Sequence, residues 1–240
     1  MDDKTESDQL KSQPVDYLVS AIKGTLGAIP FAGSLLAELA STVIPNQRID
    51  RIAMFAQVLD KKLAKLDQEF VRSQLADEQF TDLLEEGIRQ ATRSLNDDRR
   101  EFIANLITYS LSQHDIEYNE SKHLMRILSE LNDIEIVWLR FYLEPTMNGD
   151  EEFRNKHANI LTPVMAVLND PPHIHDKESL QNSYTEHLTQ LGLLETHYKT
   201  DMATHVPVYN RFTGAPEVQA HEITRLGSLL LRQIGLQNPE

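Results

Sequence analysis

Between Tyr17 and Pro45 the chain reads YLVSAIKGTLGAIPFAGSLLAELASTVIP, and no other stretch limits its fold as strongly. It is the most apolar segment, its only charges are Lys23 and Glu38, and Gly24, Gly27, Pro30 and Gly33 fall inside it. Each glycine costs a helix interior about 1 kcal/mol against alanine. Pro30 has no backbone N–H and clashes with the preceding turn, so it breaks or kinks a helix. The expectation is an apolar helical hairpin, Val15–Ala28 and Phe31–Ile44, stopped by Pro45.

A single membrane span needs about 20 apolar residues. Here only Gly24–Ala37 lies between the two charges, and Pro30 cuts it. Each half-helix would reach roughly 20 Å into a hydrocarbon core of ~30 Å. Two readings stay open: a hairpin buried in a helical bundle, or one that leaves the bundle and enters a bilayer. In either, Leu26, Ile29, Phe31, Leu35, Leu36 and Leu39 make the membrane or partner contact, and Gly24, Gly27, Pro30 and Gly33 supply flexibility. Small residues at Gly24, Ala28, Gly33, Ala37 and Ser41 allow helices to approach closely.

After the hairpin, Asn46 is an N-cap candidate. Ile49, Ile52, Phe55, Leu59, Leu63, Leu66 and Phe70 then recur at steps of three and four, which predicts one helix over residues 47–74. Asp77 caps the next, with Phe80, Leu84, Ile88, Ala91 and Leu95 as its buried stripe. Phe102, Ile103, Leu106, Ile107 and Leu111 mark a helix over Asp98–Ser112. Short polar turns between such helices predict an antiparallel N-terminal bundle, residues 15–112. Residues 1–14 read as a disordered acidic tail, without the basic start and apolar run of a secretory leader. Residues 113–131 read as a connector carrying the helix Glu120–Leu131.

From Asn132 the pattern changes. Asp133–Glu144 holds the only tryptophan, Trp138. Short helical pieces follow at Glu151–His157 and Ile160–Leu168, then a turn-rich linker, NDPPHIHD. Lys177–Leu191 is a helix with Leu180, Tyr184, Leu188 and Leu191 facing inward, ended by Gly192. Leu193–Lys199 and His205–Phe212 read as strands, and Ile223–Ile234 as a closing helix. Helices, a two-stranded wing and a last helix make a winged-helix-like α+β domain over 132–236. The fold class is thus mainly α, with this small α+β domain after the bundle.

A winged helix raises the possibility of a DNA-binding regulator, with Lys177, Gln181 and Asn182 as base or phosphate contacts. Charge opposes it. The chain carries 23 basic and 37 acidic residues, a net charge of −14. Beyond Asn132 acidic residues are about twice as many as basic ones. Phosphate neutralisation by Lys and Arg supplies most non-specific affinity for nucleic acid. Nucleic acid is therefore the disfavoured partner, and a protein partner or self-association the favoured one.

The sequence holds no cysteine, which excludes disulfides, thiolate metal sites and cysteine nucleophiles and suits a reducing cytoplasm. His173, His175 and Asp176 resemble a metal-ligand cluster but have no fixed third ligand, so they read as exposed loop residues, with no metal. His187, His197, His205 and His221 surround the wing without a defining pattern. The carboxylate pairs Glu85–Glu86, Asp97–Asp98 and Glu151–Glu152 suit helix surfaces and helix starts. The segment from Gly24 to Gly27 lacks the lysine and the spacing of a phosphate loop. No Ser, His and Asp set has a catalytic context. The expectation is a non-enzymatic protein without cofactor.

The order of parts carries a resemblance. A glycine-containing apolar hairpin and a charged amphipathic helix precede DRREFIANLITYSLS, then LSELNDIEIVWLRFY and a tail ending ITRLGSLLLRQIG. This resembles bacterial proteins related to the abortive-infection alpha family. The resemblance implies a phage-defence effector or regulator, acting through helix packing, self-association or membrane contact of its hairpin on activation; the missing cysteine makes the cytoplasm, with membrane association on activation, the expected location. It implies no catalytic residues.

Overall fold

The computed structural model describes residues 49–74, 76–112, 117–146, 149–202, 204–211 and 214–237. Among them are ten helices and one antiparallel two-stranded sheet. The chain divides into two compact units. Of the described residues, the first comprises Ile49 to Ser129 together with Gln233–Gly235, and the second Glu130–Arg232 with Leu236 and Gln237.

In the first unit, α1 (Ile49–Leu63), α2 (Gln68–Gln74), α3 (Glu78–Arg93), α4 (Asp97–Ser112) and α5 (Tyr118–Glu130) follow in order. Helices α1, α3 and α4 pack against one another. Ile52, Phe55, Leu59 and Leu63 of α1 recur at helical spacing and are all buried, as are Phe80, Leu84 and Ile88 of α3 and Ile103, Leu106 and Ile107 of α4. Asp77 caps α3 as its sequence position predicts, accepting from the N–H groups of Gln79 and Phe80 at 2.8 and 3.0 Å. The α3–α4 crossing is close at Gly87, where an added Cβ would lie 2.6 Å from Ile107 Cδ1.

The predicted continuous helix over 47–74 is two helices. Asp67 accepts from the N–H of Phe70 at 2.7 Å and so starts a new helix, while the Gln68 amide donates to the carbonyls of Leu63 and Leu66. The phase shift buries Val71 and leaves Leu66 and Phe70 half-buried. Leu95, expected in the buried stripe, is 83% exposed, because α3 stops at Arg93.

The second unit runs α6 (Asp133–Phe141), α7 (Glu151–Lys156), α8 (Ala158–Leu161), α9 (Pro172–Gln190), β1 (Leu194–Tyr198), β2 (Val218–Ile223) and α10 (Arg225–Gln233). Helix α6 begins in a capping box, with Asn132 accepting from the Glu135 N–H and Glu135 from that of Asn132. Helix α9 packs on α6 and β1, and α8 on α6. Leu139, Leu188, Leu193, Leu230 and Leu231 are fully buried in this unit.

Three expectations change here. The NDPPHIHD stretch is not a linker throughout, since Pro172 occupies the first turn of α9, where a missing N–H costs nothing. The second strand is Val218–Ile223, not His205–Phe212. Pro207 and Pro216 cannot donate to a ladder, and among the described residues of that region, which leave out Phe212, the pairing consists of the isolated bridges Thr200↔Pro207 and Tyr209↔Pro216. The helix expected over Ile160–Leu168 stops at Leu161, just ahead of Pro163. Helix α9 ends as predicted. Gly192 takes φ +71°, and Leu193 N–H donates to the Leu188 carbonyl while Gly192 N–H donates to that of Thr189, the bond pair of a Schellman motif.

Candidate functional site

Helix α9 presents Glu178, Asn182, Thr185 and Thr189 along one face, at helical spacing. Opposite them stand Trp138 of α6 and Tyr142 just after it. The third wall is the sheet. Strand residues alternate faces, so Leu194, Thr196 and Tyr198 share one side of β1. Thr196 pairs with His221 across the sheet, and a register shift beyond His197 pairs Tyr198 with Val218, skipping Gln219. That irregularity puts Val218 on the same side as Tyr198 and His221. Together these walls enclose a half-open cleft of about 720 Å³, whose lining also includes Met165.

The cleft is aromatic on one side and polar on the other. The Tyr142 and His221 rings meet edge to face, 6.2 Å between centroids. Tyr142 shares a hydrogen bond with the Thr185 hydroxyl, and burial raises its pKa above the ordinary phenol value. His221 Nδ1 lies 3.1 Å from the Thr196 hydroxyl. Burial, and then the neighbouring charge of His197, push the His221 pKa below its ordinary value. The Trp138 indole N–H is buried with no acceptor among the described residues. Glu178 and Glu186 are the two acidic residues of the lining, and no lysine or arginine is among the lining residues.

The sequence-derived sites fare differently. Leu26, Ile29, Phe31, Leu35, Leu36, Leu39, Gly24, Gly27, Pro30 and Gly33 lie outside the described residues, as does the whole stretch expected to form the apolar hairpin. Lys177 is exposed on α9, while Asn182 is exposed and lines the cleft. Gln181 is committed inside its own unit. Its Oε1 accepts from Val164 N–H at 2.8 Å, and its Nε2 donates to the Thr162 carbonyl at 2.8 Å. Reading a base with Gln181 would break both bonds.

The four histidines grouped in the sequence around the expected wing do not converge. His187 Nδ1 sits 2.7 Å from Glu135 Oε1, His205 is exposed, and His197 and His221 occupy opposite faces of the sheet. His197 instead joins Glu195 and Glu222, with ligand atoms within 4.8 Å of one another. These three could hold a divalent cation, but Glu195 and Glu222 are exposed and both already lie within ion-pair distance of the His197 Nε2, at 2.9 and 3.4 Å. His173 and His175 are exposed in the first turn of α9.

The cleft was not anticipated from sequence. Asn182, Thr185 and Thr189 look like any solvated helix face, and Trp138 and His221 are far apart in the chain. The lone tryptophan was the one available cue. Among the described residues no helix is long and apolar enough to cross a membrane. Comparison of the chain with family models, with curated proteins and with solved structures finds no match.

Proposed function

We propose that this chain is a non-enzymatic effector or regulator of bacterial phage defence. Its N-terminal part is an antiparallel helical bundle that acts through helix packing, self-association or membrane contact of the apolar hairpin. Its second unit is a winged-helix-like module that contacts protein rather than DNA. The resemblance to abortive-infection alpha proteins supplies the setting. The observation that carries the contact reading is where apolar side chains are exposed. Ten of the twelve large apolar residues exposed among the described residues belong to the second unit. Met165 at 83%, Tyr198 at 46% and Val218 at 52% line the cleft itself. Three exposed apolar side chains gathered in one cleft are the kind of clustering that marks an interaction surface, whereas singly exposed ones need no explanation. The absence of basic residues from the lining also speaks against phosphate.

The test is phage challenge of bacteria expressing the protein. Wild type is expected to reduce plaques or arrest infected cells. Leu36→Asp in the hairpin and the pair Met165→Asp, Val218→Asp in the cleft are each expected to abolish the effect with circular dichroism unchanged. No effect of wild type in any challenged host would overturn the defence reading. Salt-sensitive binding to a defined duplex, lost on changing Lys177 and Gln181 to Ala, would establish a DNA-binding regulator instead.

A further inference from the structure

We propose that the cleft of the second unit binds a basic segment of a partner protein, taking lysine or arginine side chains between its aromatic wall and the carboxylates of Glu178 and Glu186. This rests on the reading of the second unit as a protein-contact module and names the chemistry of the partner.

Three features of the cleft lead there. The first is size, since about 720 Å³ lies within the ~300–1,000 Å³ typical of ligand pockets and exceeds what one side chain fills. The second is charge. Glu178 and Glu186 belong to the lining, and no lysine or arginine does, so the formal charges of the lining repel an anion and attract a cation. The third is the aromatic wall. Tyr198 and Tyr142 offer ring surface, with Trp138, 9% exposed, beside them in the lining, and a ring face attracts a cation within about 6 Å of its centroid, Trp and Tyr most strongly. Lysine and arginine also carry apolar stems that lie along such surfaces while the head stays near water. His221, its pKa lowered, stays neutral near pH 7 and adds no repulsion.

Spacing shapes the ligand further. Glu178 and Glu186 are eight residues apart on one helix, about 12 Å along its axis. Four residues of an extended peptide span about 13 Å. An extended segment lying along α9 therefore brings basic residues at positions i and i+4 to the two carboxylates.

The probe is a peptide with lysines at its second and sixth positions, leucine at the fourth and glycine elsewhere, titrated into the whole protein. Its counterparts carry norleucine or glutamate in place of both lysines. Trp138, the only tryptophan, reports binding directly through its emission. The lysine peptide is expected to bind at least tenfold more tightly than the norleucine peptide. That preference should shrink when salt rises from low to molar concentration, because partly exposed charges are screened. The glutamate peptide should not bind. A folded Glu178→Gln, Glu186→Gln variant should bind lysine and norleucine peptides alike.

If the norleucine peptide binds wild type as tightly as the lysine peptide, the cation assignment is wrong and the contact groove stands. If the glutamate peptide binds best, the charge argument is reversed. If none of the three binds, the cleft is not a peptide-contact site and the contact reading of the second unit falls with it.

Discussion

Glu135 and His187 are joined at 2.7 Å, Oε1 to Nδ1, across the packed faces of α6 and α9. The same carboxylate accepts the Asn132 N–H through Oε2, at 2.8 Å. One buried side chain thus closes the cap of α6 and ties that helix to the wall of the cleft.

Removing that carboxylate leaves two donors without a partner. Glu135→Ala should destabilise the protein by about 1–2 kcal/mol, the range for losing two part-buried hydrogen bonds to a charged acceptor, one of them half of the capping box. Glu135→Gln, which keeps an acceptor oxygen, should cost less. Urea denaturation followed by circular dichroism checks both. Equal midpoints for Glu135→Ala and wild type would show that the junction contributes nothing.

Gly227 is buried in α10, and a Cβ there would sit 2.4 Å from the Leu193 carbonyl oxygen and 2.8 Å from Ile223 Cγ1. Alanine normally favours a helix over glycine by about 1 kcal/mol. Backbone cannot move aside as a side-chain tip can, so overpacking wins. Gly227→Ala is expected to destabilise by about 1–3 kcal/mol, read as a lower thermal midpoint. A higher midpoint would mean that β1 and α10 separate at little cost.

Trp138 buries an indole N–H that has no acceptor among the described residues. Phenylalanine removes that donor and loses some ring contact, two effects of opposite sign. Trp138→Phe should change stability by less than about 1 kcal/mol, whereas Leu139→Ala, at a fully buried neighbour, should cost about 2–5 kcal/mol. Chemical denaturation monitored by circular dichroism separates them, since the variant has no tryptophan emission.

His221 gives a pH dependence of definite sign. Its pKa is lowered in the folded state, first by burial and then by His197. The unfolded chain therefore binds more protons here, and stability rises with pH. The contribution is complete above the ordinary histidine pKa of about 6.5 and is lost as pH falls below it. Thermal midpoints measured between pH 7.5 and 5.5 should fall less steeply in His221→Gln than in wild type. An equal or steeper fall in the variant would reject this assignment.

Local chemistry settled much of the helical framework in advance. Asp77 begins α3 because its carboxylate accepts the orphan N–H groups of the first turn, and Gly192 ends α9 because it alone tolerates φ +71° without strain. The apolar spacing from Ile52 to Leu63 and from Phe80 to Ile88 fixed which helix faces are buried. Such signals need only neighbours within a turn. The acidic balance, the missing cysteine and the broken apolar stretch were equally plain from composition and spacing.

Tertiary structure decided what depends on partners distant in the chain. VQAHEI became a strand because β1 pairs with it, while Thr224 holds the start of α10 by accepting the Gly227 N–H at 3.0 Å. Leu180 is 55% exposed although its spacing matches the buried Leu188, because only the C-terminal part of that stripe meets other elements. Gln181 became a loop anchor, and Trp138 and His221 came to share a cleft, only when α6, α9 and the sheet were packed together. A helix period names a face, but what covers that face is a property of the whole chain, and the candidate site lies on such faces.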